Sequence, residues 1–258
     1  MYKLEQLKQV PLGNTGLKVS TLGIGTVKFG RNTGVKYPQQ FDIPDDQTIK
    51  SLLGLAKELN INLLDTAPAY GNSEERLGKL LKNDRHNWII SSKVGEEFTN
   101  NQSIFNFSKE YIIDSIHRTL KRLNTDYLDL LLIHSDGNDE EIINRDRVFD
   151  TVTLLKQQGL IRSFGMSIKT VSGGLLAVNI ADVVMVTLNL DYLDELDVIA
   201  EAHKLNKGVL IKKALGSGYL KVQPSMELIF KTPGVHSIIV GTINKLHLIE
   251  NVRYALMY

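Results

Sequence analysis

The 258-residue chain contains no cysteine. That excludes disulfides, thiolate zinc sites and a cysteine nucleophile, and it is consistent with cytoplasmic residence. An excess of one charge sign is also missing, the net charge being +1, so no global field points to nucleic acid or a membrane surface. No apolar run approaches the roughly 20 residues of a membrane span. The opening "MYKLEQLKQV" lacks the apolar core and small-residue cleavage site of a secretory leader. No low-complexity tract or Pro/Gly/Ser linker divides the chain, so residues 1–258 read as one domain.

Motifs for several chemistries are absent as well. The six histidines lack the i, i+4 pairing of a helical zinc site. "HSDGNDEE" (134–141) misses EF-hand spacing and reads as a solvated loop. Basic residues in "KRLNTDYLD" and "IRSFG" stand singly, unlike a nucleic-acid patch. Gly23-Ile24-Gly25 runs into Thr26 with no helix at the distance a Rossmann fingerprint requires.

What is present is ordinary globular composition, 43% apolar and 23% charged, in a length typical of one α/β barrel. Short β-branched or leucine-rich runs alternate with segments of helical period. The strands read as 20–26, 62–66, 88–94, 127–135, 161–167, 182–189, 208–215 and 236–242. Between them, "DDQTIKSLLGLAKEL" puts Ile49, Leu52, Leu53, Ala56 and Leu59 on one stripe, and Gly159 suits a helix C-cap. Eight βα units imply a parallel sheet, closed as a (β/α)8 TIM barrel or open and doubly wound. "LKQVPLGNTGLKVS" before the first unit reads as a β-hairpin capping the barrel bottom.

Barrel chemistry sits at the C-terminal strand ends. "LLDTAPAYGNSEERLG" (63–78) places Asp65 at such an end and Tyr70 in the loop after it; Lys93 and His134 end the next two strands. Singly, each has a plain structural reading. Asp65 would bond loop amides, Tyr70 pack on the rim, Lys93 snorkel outward and His134 sit satisfied in the core. Together they form a set in which Asp65 and Lys93 share a desolvation cost. Lys93 is then expected to pull the Tyr70 phenol below its ordinary value, suiting it to donate a proton.

With these residues in place, the chain resembles the aldo-keto reductase family over nearly its full length. "PLGNTGLKVSTLGIGT", "LLDTAPAYGNSEERLG", "IISSKVG", "LDLLLIHS", "GLIRSFGMS" and "SIIVGT…EN" are similar to its segments in that order. The resemblance implies Tyr70 as proton donor, Lys93 as the group acting on it, Asp65 holding Lys93, and His134 orienting a substrate carbonyl. It implies NADP as cofactor, with NAD possible, and no metal. The cofactor site would be Gly25, Thr26 and Asp65 on one side and Ser167 and Lys212 near the nicotinamide. Leu215 and Ser217 of "LGSG" would cover the pyrophosphate with glycine backbone as an anion nest. Gly241 and Thr242 would receive an adenosine phosphate at the opening of the last helix. Lys245 and His247 are the candidates for a 2′-phosphate, and Glu250 and Asn251 match the family's adenine contact.

Some positions depart from the family pattern. Ser167-Ile168 and Met185 stand where the family has Ser-Asn and a glutamine on the carboxamide, and Lys212 where an aromatic residue stacks on the nicotinamide. The sequence stops about a residue past the eighth helical segment, implying an open substrate side. The reading is reduction of an aldehyde or ketone to an alcohol, by a monomer or weak homo-oligomer acting on a small-molecule carbonyl. The alternatives are a nucleotide-sensing binding protein with slow turnover and a lyase using Lys93 as a Schiff base. Against the lyase, Asp65 would raise the lysine such chemistry needs lowered.

Overall fold

The computed structural model describes residues 5–258; the first four residues of the stretch read above for a leader lie outside it. The chain opens on an antiparallel hairpin, β1 (Gln9–Pro11) and β2 (Lys18–Ser20), with Val10 opposite Val19. Gly13 in its turn has φ 51°, and a Cβ there would lie 2.5 Å from the Gly208 nitrogen. Glycine lets the turn press onto that backbone. Leu12, Leu17 and Val19 thereby join a buried cluster with Leu63, Leu130, Leu132, Val183, Met185 and Leu210. The hairpin plugs the barrel bottom, as its sequence implied.

Eight parallel strands then close into a barrel. They are β3 (Leu22–Gly25), β4 (Leu63–Asp65), β5 (Ile89–Val94), β8 (Leu128–His134), β9 (Ile161–Ser167), β10 (Val183–Thr187), β11 (Gly208–Lys212) and β12 (Ser237–Val240). β12 pairs back onto β3, with Ile238 opposite Leu22, so the open-sheet alternative falls. Strands buried on both faces need continuous apolar runs, which is why "LDLLLIH" carries leucine at successive positions.

Two short helices, α1 (Val27–Gly30) and α5 (Asp139–Asn144), lie in the loops above the strand ends. The outer ring is α2 (Asp46–Glu58), α3 (Ser73–Leu80), α4 (Lys109–Leu123), α6 (Val148–Gln157), α7 (Val171–Ile180), α8 (Leu196–Lys204), α9 (Val222–Phe230) and α10 (Lys245–Ala255). Side chains fix several of their starts. Asp45 accepts from the Thr48 amide, Ser108 from Tyr111, Thr170 from Gly173, and Asn244 from Leu246 and His247. Gly159, at φ 78°, follows the end of α6.

Three stretches differ from the sequence reading. β11 ends at Lys212 rather than 215, because Lys213 turns into the left-handed region at φ 54°. The segment read as a solvated loop contains the start of α5, and Asp139 there is 1% exposed. Its carboxylate accepts from the Lys169 and Thr170 amides at 2.8 and 2.7 Å and from Ser135 Oγ, so it is a buried clamp on the loop after β9. Lastly, β6 (Glu96–Thr99) and β7 (Gln102–Phe105) form a hairpin above β5 that the strand reading passed over.

Candidate active site

Strand register brings the chemistry to one level. Asp65 pairs with Ser91 across β4 and β5, Lys93 with Leu132 across β5 and β8, and His134 with Ser167 across β8 and β9. Lys93 Nζ donates to both carboxylate oxygens of Asp65 at 2.7 and 2.6 Å and to the Thr66 carbonyl at 2.9 Å. Lys93 is 1% and Asp65 3% exposed. Three acceptors fill the ammonium's three donors. The snorkelling reading of Lys93 and the loop-amide reading of Asp65 are both displaced.

Tyr70 reaches the same place by a tight turn. Its amide donates to the Ala67 carbonyl at 3.0 Å and its carbonyl accepts from Ser73 at 3.3 Å. Gly71 has φ 62°, and a Cβ there would lie 2.1 Å from the Gly30 carbonyl oxygen. That contact explains why glycine follows the tyrosine. The half-buried Tyr70 ring has its centroid 4.8 Å from Lys93 Nζ and 6.4 Å from the His134 ring, nearly perpendicular to it. So carboxylate, ammonium, phenol and imidazole share one mouth.

Electrostatics corrects one expectation. Burial raises the Tyr70 phenol; Lys93 pulls it down, but Asp65 opposes that pull, and the net shift is upward. Burial is the main cause, and a carboxylate 2.6 Å from the ammonium offsets part of the charge the phenol was expected to feel. For Lys93, burial works against the ammonium, yet Asp65 and Tyr70 outweigh it and hold it above the usual lysine value.

Two supports were not foreseen. Glu74, buried in the first turn of α3, accepts from Ser92 Oγ at 2.6 Å and Thr119 Oγ1 at 3.1 Å, tying the outer face of β5 to α3 and α4. Glu96, the first residue of β6, sets Oε2 2.8 Å from His134 Nδ1. That contact lies off the line of a good hydrogen bond. The alternation of "EEFT" and "QSIF" about Asn-Asn was the available signal for this hairpin.

These groups open into a cavity of about 600 Å³, within the usual range for a small-molecule site. Of the residues expected at a cofactor, Gly25, Asp65, Ser167, Lys212, Leu215, Ser217, Gly241, Thr242, His247, Glu250 and Asn251 line it. Thr26 does not. It is fully buried, donating to the Asp65 carbonyl at 3.0 Å and accepting from Ser73 at 2.8 Å. Lys245 reaches Ser51 instead of the cavity.

Two local expectations also change. Gly241 and Thr242 do not open α10, which starts at Lys245 with its first free amides already capped by Asn244. The "LGSG" loop has the left-handed backbone of a nest, with φ 53°, 61° and 101° at Gly216, Ser217 and Gly218. However, the Gly216 and Gly218 amides bond to Lys213 and Leu215 carbonyls, leaving less of that nest for an anion. Ile168 is fully buried, its Cδ1 2.5 Å from where a Cβ on Gly174 would stand, so it packs toward α7 rather than into the cavity. Met185 does line the cavity, joining it to the buried cluster below.

The lining carries more positive than negative charge. Lys28, Lys169, Lys212 and Lys213 face Glu250, while Asp65 is already matched by Lys93. Lys28 Nζ lies 4.0 Å from the Tyr37 ring centroid, and a Cβ on Gly241 would meet the Tyr37 hydroxyl at 2.9 Å. An elongated ligand with several phosphate charges fits this surface.

Comparison with known proteins agrees. The sequence profile of the Aldo/keto reductase family matches residues 21–227. A solved structure of a Pseudomonas aeruginosa protein assigned to the aldo-keto reductases is 51% identical with a TM-score of 0.92, covering 98% of this chain and 96% of its own. L-galactose dehydrogenase of Arabidopsis thaliana is 34% identical over 163 residues, 60% of this chain and 47% of that protein. An NADH-specific methylglyoxal reductase of Escherichia coli is 30% identical over 172 residues, 62% of this chain and 51% of that protein. The match thus spans about half the length of these curated relatives.

Proposed function

The chain belongs to the aldo/keto reductase family, and on that premise we propose that it reduces an aldehyde or ketone to an alcohol with a nicotinamide dinucleotide. The observation that carries the reading is the buried Lys93–Asp65 pair set beside Tyr70 and His134 at the mouth of a cation-rich cavity. When bound, the reduced dinucleotide supplies the hydride. Lys28 and Lys213 would hold its phosphates, Glu250 and Asn251 its adenine, and Ser167 with Lys212 its carboxamide.

Tyr70 delivers the proton to the carbonyl oxygen as charge develops there. Burial keeps the phenol protonated, so the acid form is the resting form. Lys93 faces the phenolate that results and favours it, while Asp65 fixes the lysine in place. His134 orients the carbonyl. With Lys245 turned to Ser51, only His247 of the two foreseen residues remains at the cavity for a 2′-phosphate. NADP(H) remains the proposed cofactor through His247, and the loss of Lys245 supports NAD(H) being accepted at an affinity within about tenfold, a gap of about 1.4 kcal/mol.

Fluorescence titration with NADPH and NADH tests the site, and loss of nicotinamide absorbance on a panel of aldehydes tests the reaction. Binding of neither nucleotide refutes the proposal. Tyr70→Phe is expected to keep nucleotide affinity while losing reduction by ~10²–10⁴-fold, the usual contribution of a general acid. Activity within tenfold of wild type would remove Tyr70 as the donor.

A further inference from the structure

We infer that Lys212 makes the site select the reduced nucleotide over the oxidised one, its ammonium standing beside the reacting groups with no carboxylate to match its charge. The inference rests on the carbonyl-reductase reading above. Two lysines reach the level of Tyr70 and His134. Lys93 is matched by Asp65 at 2.6 Å. Lys212 ends β11 opposite Thr187 of β10, and its Nζ donates to Ser167 Oγ at 2.9 Å and to the Ile168 carbonyl. Ser167 in turn stands opposite His134 across β8 and β9. The ammonium is thus one hydrogen bond from the residue beside the imidazole. Both of its acceptors are neutral, which leaves a third donor and the whole charge to the cavity that Lys212 lines.

The other charged groups around Lys212 are engaged elsewhere or add to its charge. Glu195, in the loop after β10, accepts from the Thr187 amide at 2.6 Å. Asp139 of α5 is taken up by Ser135 and by the Lys169 and Thr170 amides. Both carboxylates pull on Lys212 from beyond ion-pairing distance. Lys213, its neighbour on β11's end, and Lys169, in the loop after β9, repel it, and His134 faces it from β8. Burial, aided by those two lysines, brings the ammonium to about 7.

A nicotinamide that serves a carbonyl held at Tyr70 and His134 must enter this mouth. Reduced, the ring is neutral; oxidised, it is a cation. The phosphates, riboses and adenine are common to both forms, so their contacts cancel in a ratio of affinities. What remains is the charge the ring meets, and an unmatched ammonium in a shielded cavity opposes the oxidised form by like-charge repulsion. Lys212 therefore speeds the loss of spent nucleotide and keeps the reduced form bound when both are abundant.

Isothermal titration calorimetry with NADP+ and NADPH reads this through binding alone. If NADP+ enters mainly when Lys212 is uncharged, the ratio of the NADP+ to the NADPH dissociation constant should rise about tenfold from pH 8.5 to pH 6, following the charged fraction of a group that titrates at about 7. Titration of His247 or of the 2′-phosphate moves both affinities together and leaves the ratio alone. At pH 7, NADP+ should release about half a proton more than NADPH does, as read from heats in buffers of different ionisation enthalpy. In Lys212→Met the ratio should change less than about twofold over the same range. In Lys212→Arg it should stay high at both pH values, because a guanidinium does not titrate there. A wild-type ratio that is flat with pH, or the same rise in Lys212→Met, which keeps His134 and every other group, would overturn the inference and leave the carbonyl-reductase reading standing. Failure of both nucleotides to bind would overturn the two together.

Discussion

Lys212 is an ammonium without a carboxylate within ion-pairing distance among the described residues, held only by Ser167 Oγ at 2.9 Å and the Ile168 carbonyl. Burial brings it from 10.5 to about 7, with Glu195 opposing and Lys213 adding to the drop. Below about 7 the lysine is charged in folded and unfolded chains alike, and the cost of its burial is present in full. Between about 7 and 10.5 the unfolded chain keeps a proton the folded one has released, so this residue makes stability rise with pH. Urea midpoints at pH 6 and pH 9 are expected to differ more in wild type than in Lys212→Met. Equal differences would place Lys212 in solvent. The residue was legible as an oddity through the family resemblance, which puts an aromatic residue at its strand position. Its polar anchors were not, because they depend on the partners that β9 brings across the mouth. The same limit explains Tyr70: its place followed from a strand end and a glycine, whereas its raised phenol follows first from burial, with Asp65 offsetting the pull of Lys93.

Among elements, β6 and β7 show where sequence pattern fell short. Four-residue strands inside a βα loop give a weak period-2 signal, and Asn100 and Asn101, at φ 53° and 60°, supply the turn without the Asn-Gly pair that marks hairpins most clearly. The barrel strands were legible because strands buried on both faces need long apolar runs, and their ends blurred where a left-handed residue such as Lys213 stopped the ladder. Gly95 joins β5 to the hairpin at φ 105°, and a Cβ there would lie 2.3 Å from Phe107 Cε1. Gly95→Ala therefore combines a strained backbone with a clash against a ring, at about 1–3 kcal/mol for the backbone alone. The expected result is a lowered denaturation midpoint. A variant that melts like wild type would mean that the hairpin is not anchored through Gly95.

At the scale of the whole molecule, barrel closure governs how the cavity comes into being. Gly25 ends β3 and Gly241 follows β12, so the two lining residues meet only across the seam where those strands pair. The same closure draws the Gly13 amide to His236 Nε2 across 223 residues of chain. Contacts of such long sequence separation carry a loop-closure entropy that must be met before they stabilise anything, and chains dominated by them fold slowly. If closure comes late, the proposed nucleotide site is among the last features to form. A ligand that needs both sides of the seam finds nothing to hold in the transition state if closure follows it. NADPH added to refolding protein is then expected to leave the folding rate unchanged and to slow unfolding in proportion to its affinity, as stopped-flow fluorescence in urea would measure. Accelerated folding would mean that the seam closes early. On the proposed reading and with late closure, the newly made chain would reach closure unaided by its cofactor, and cofactor supply would lengthen its life only afterwards.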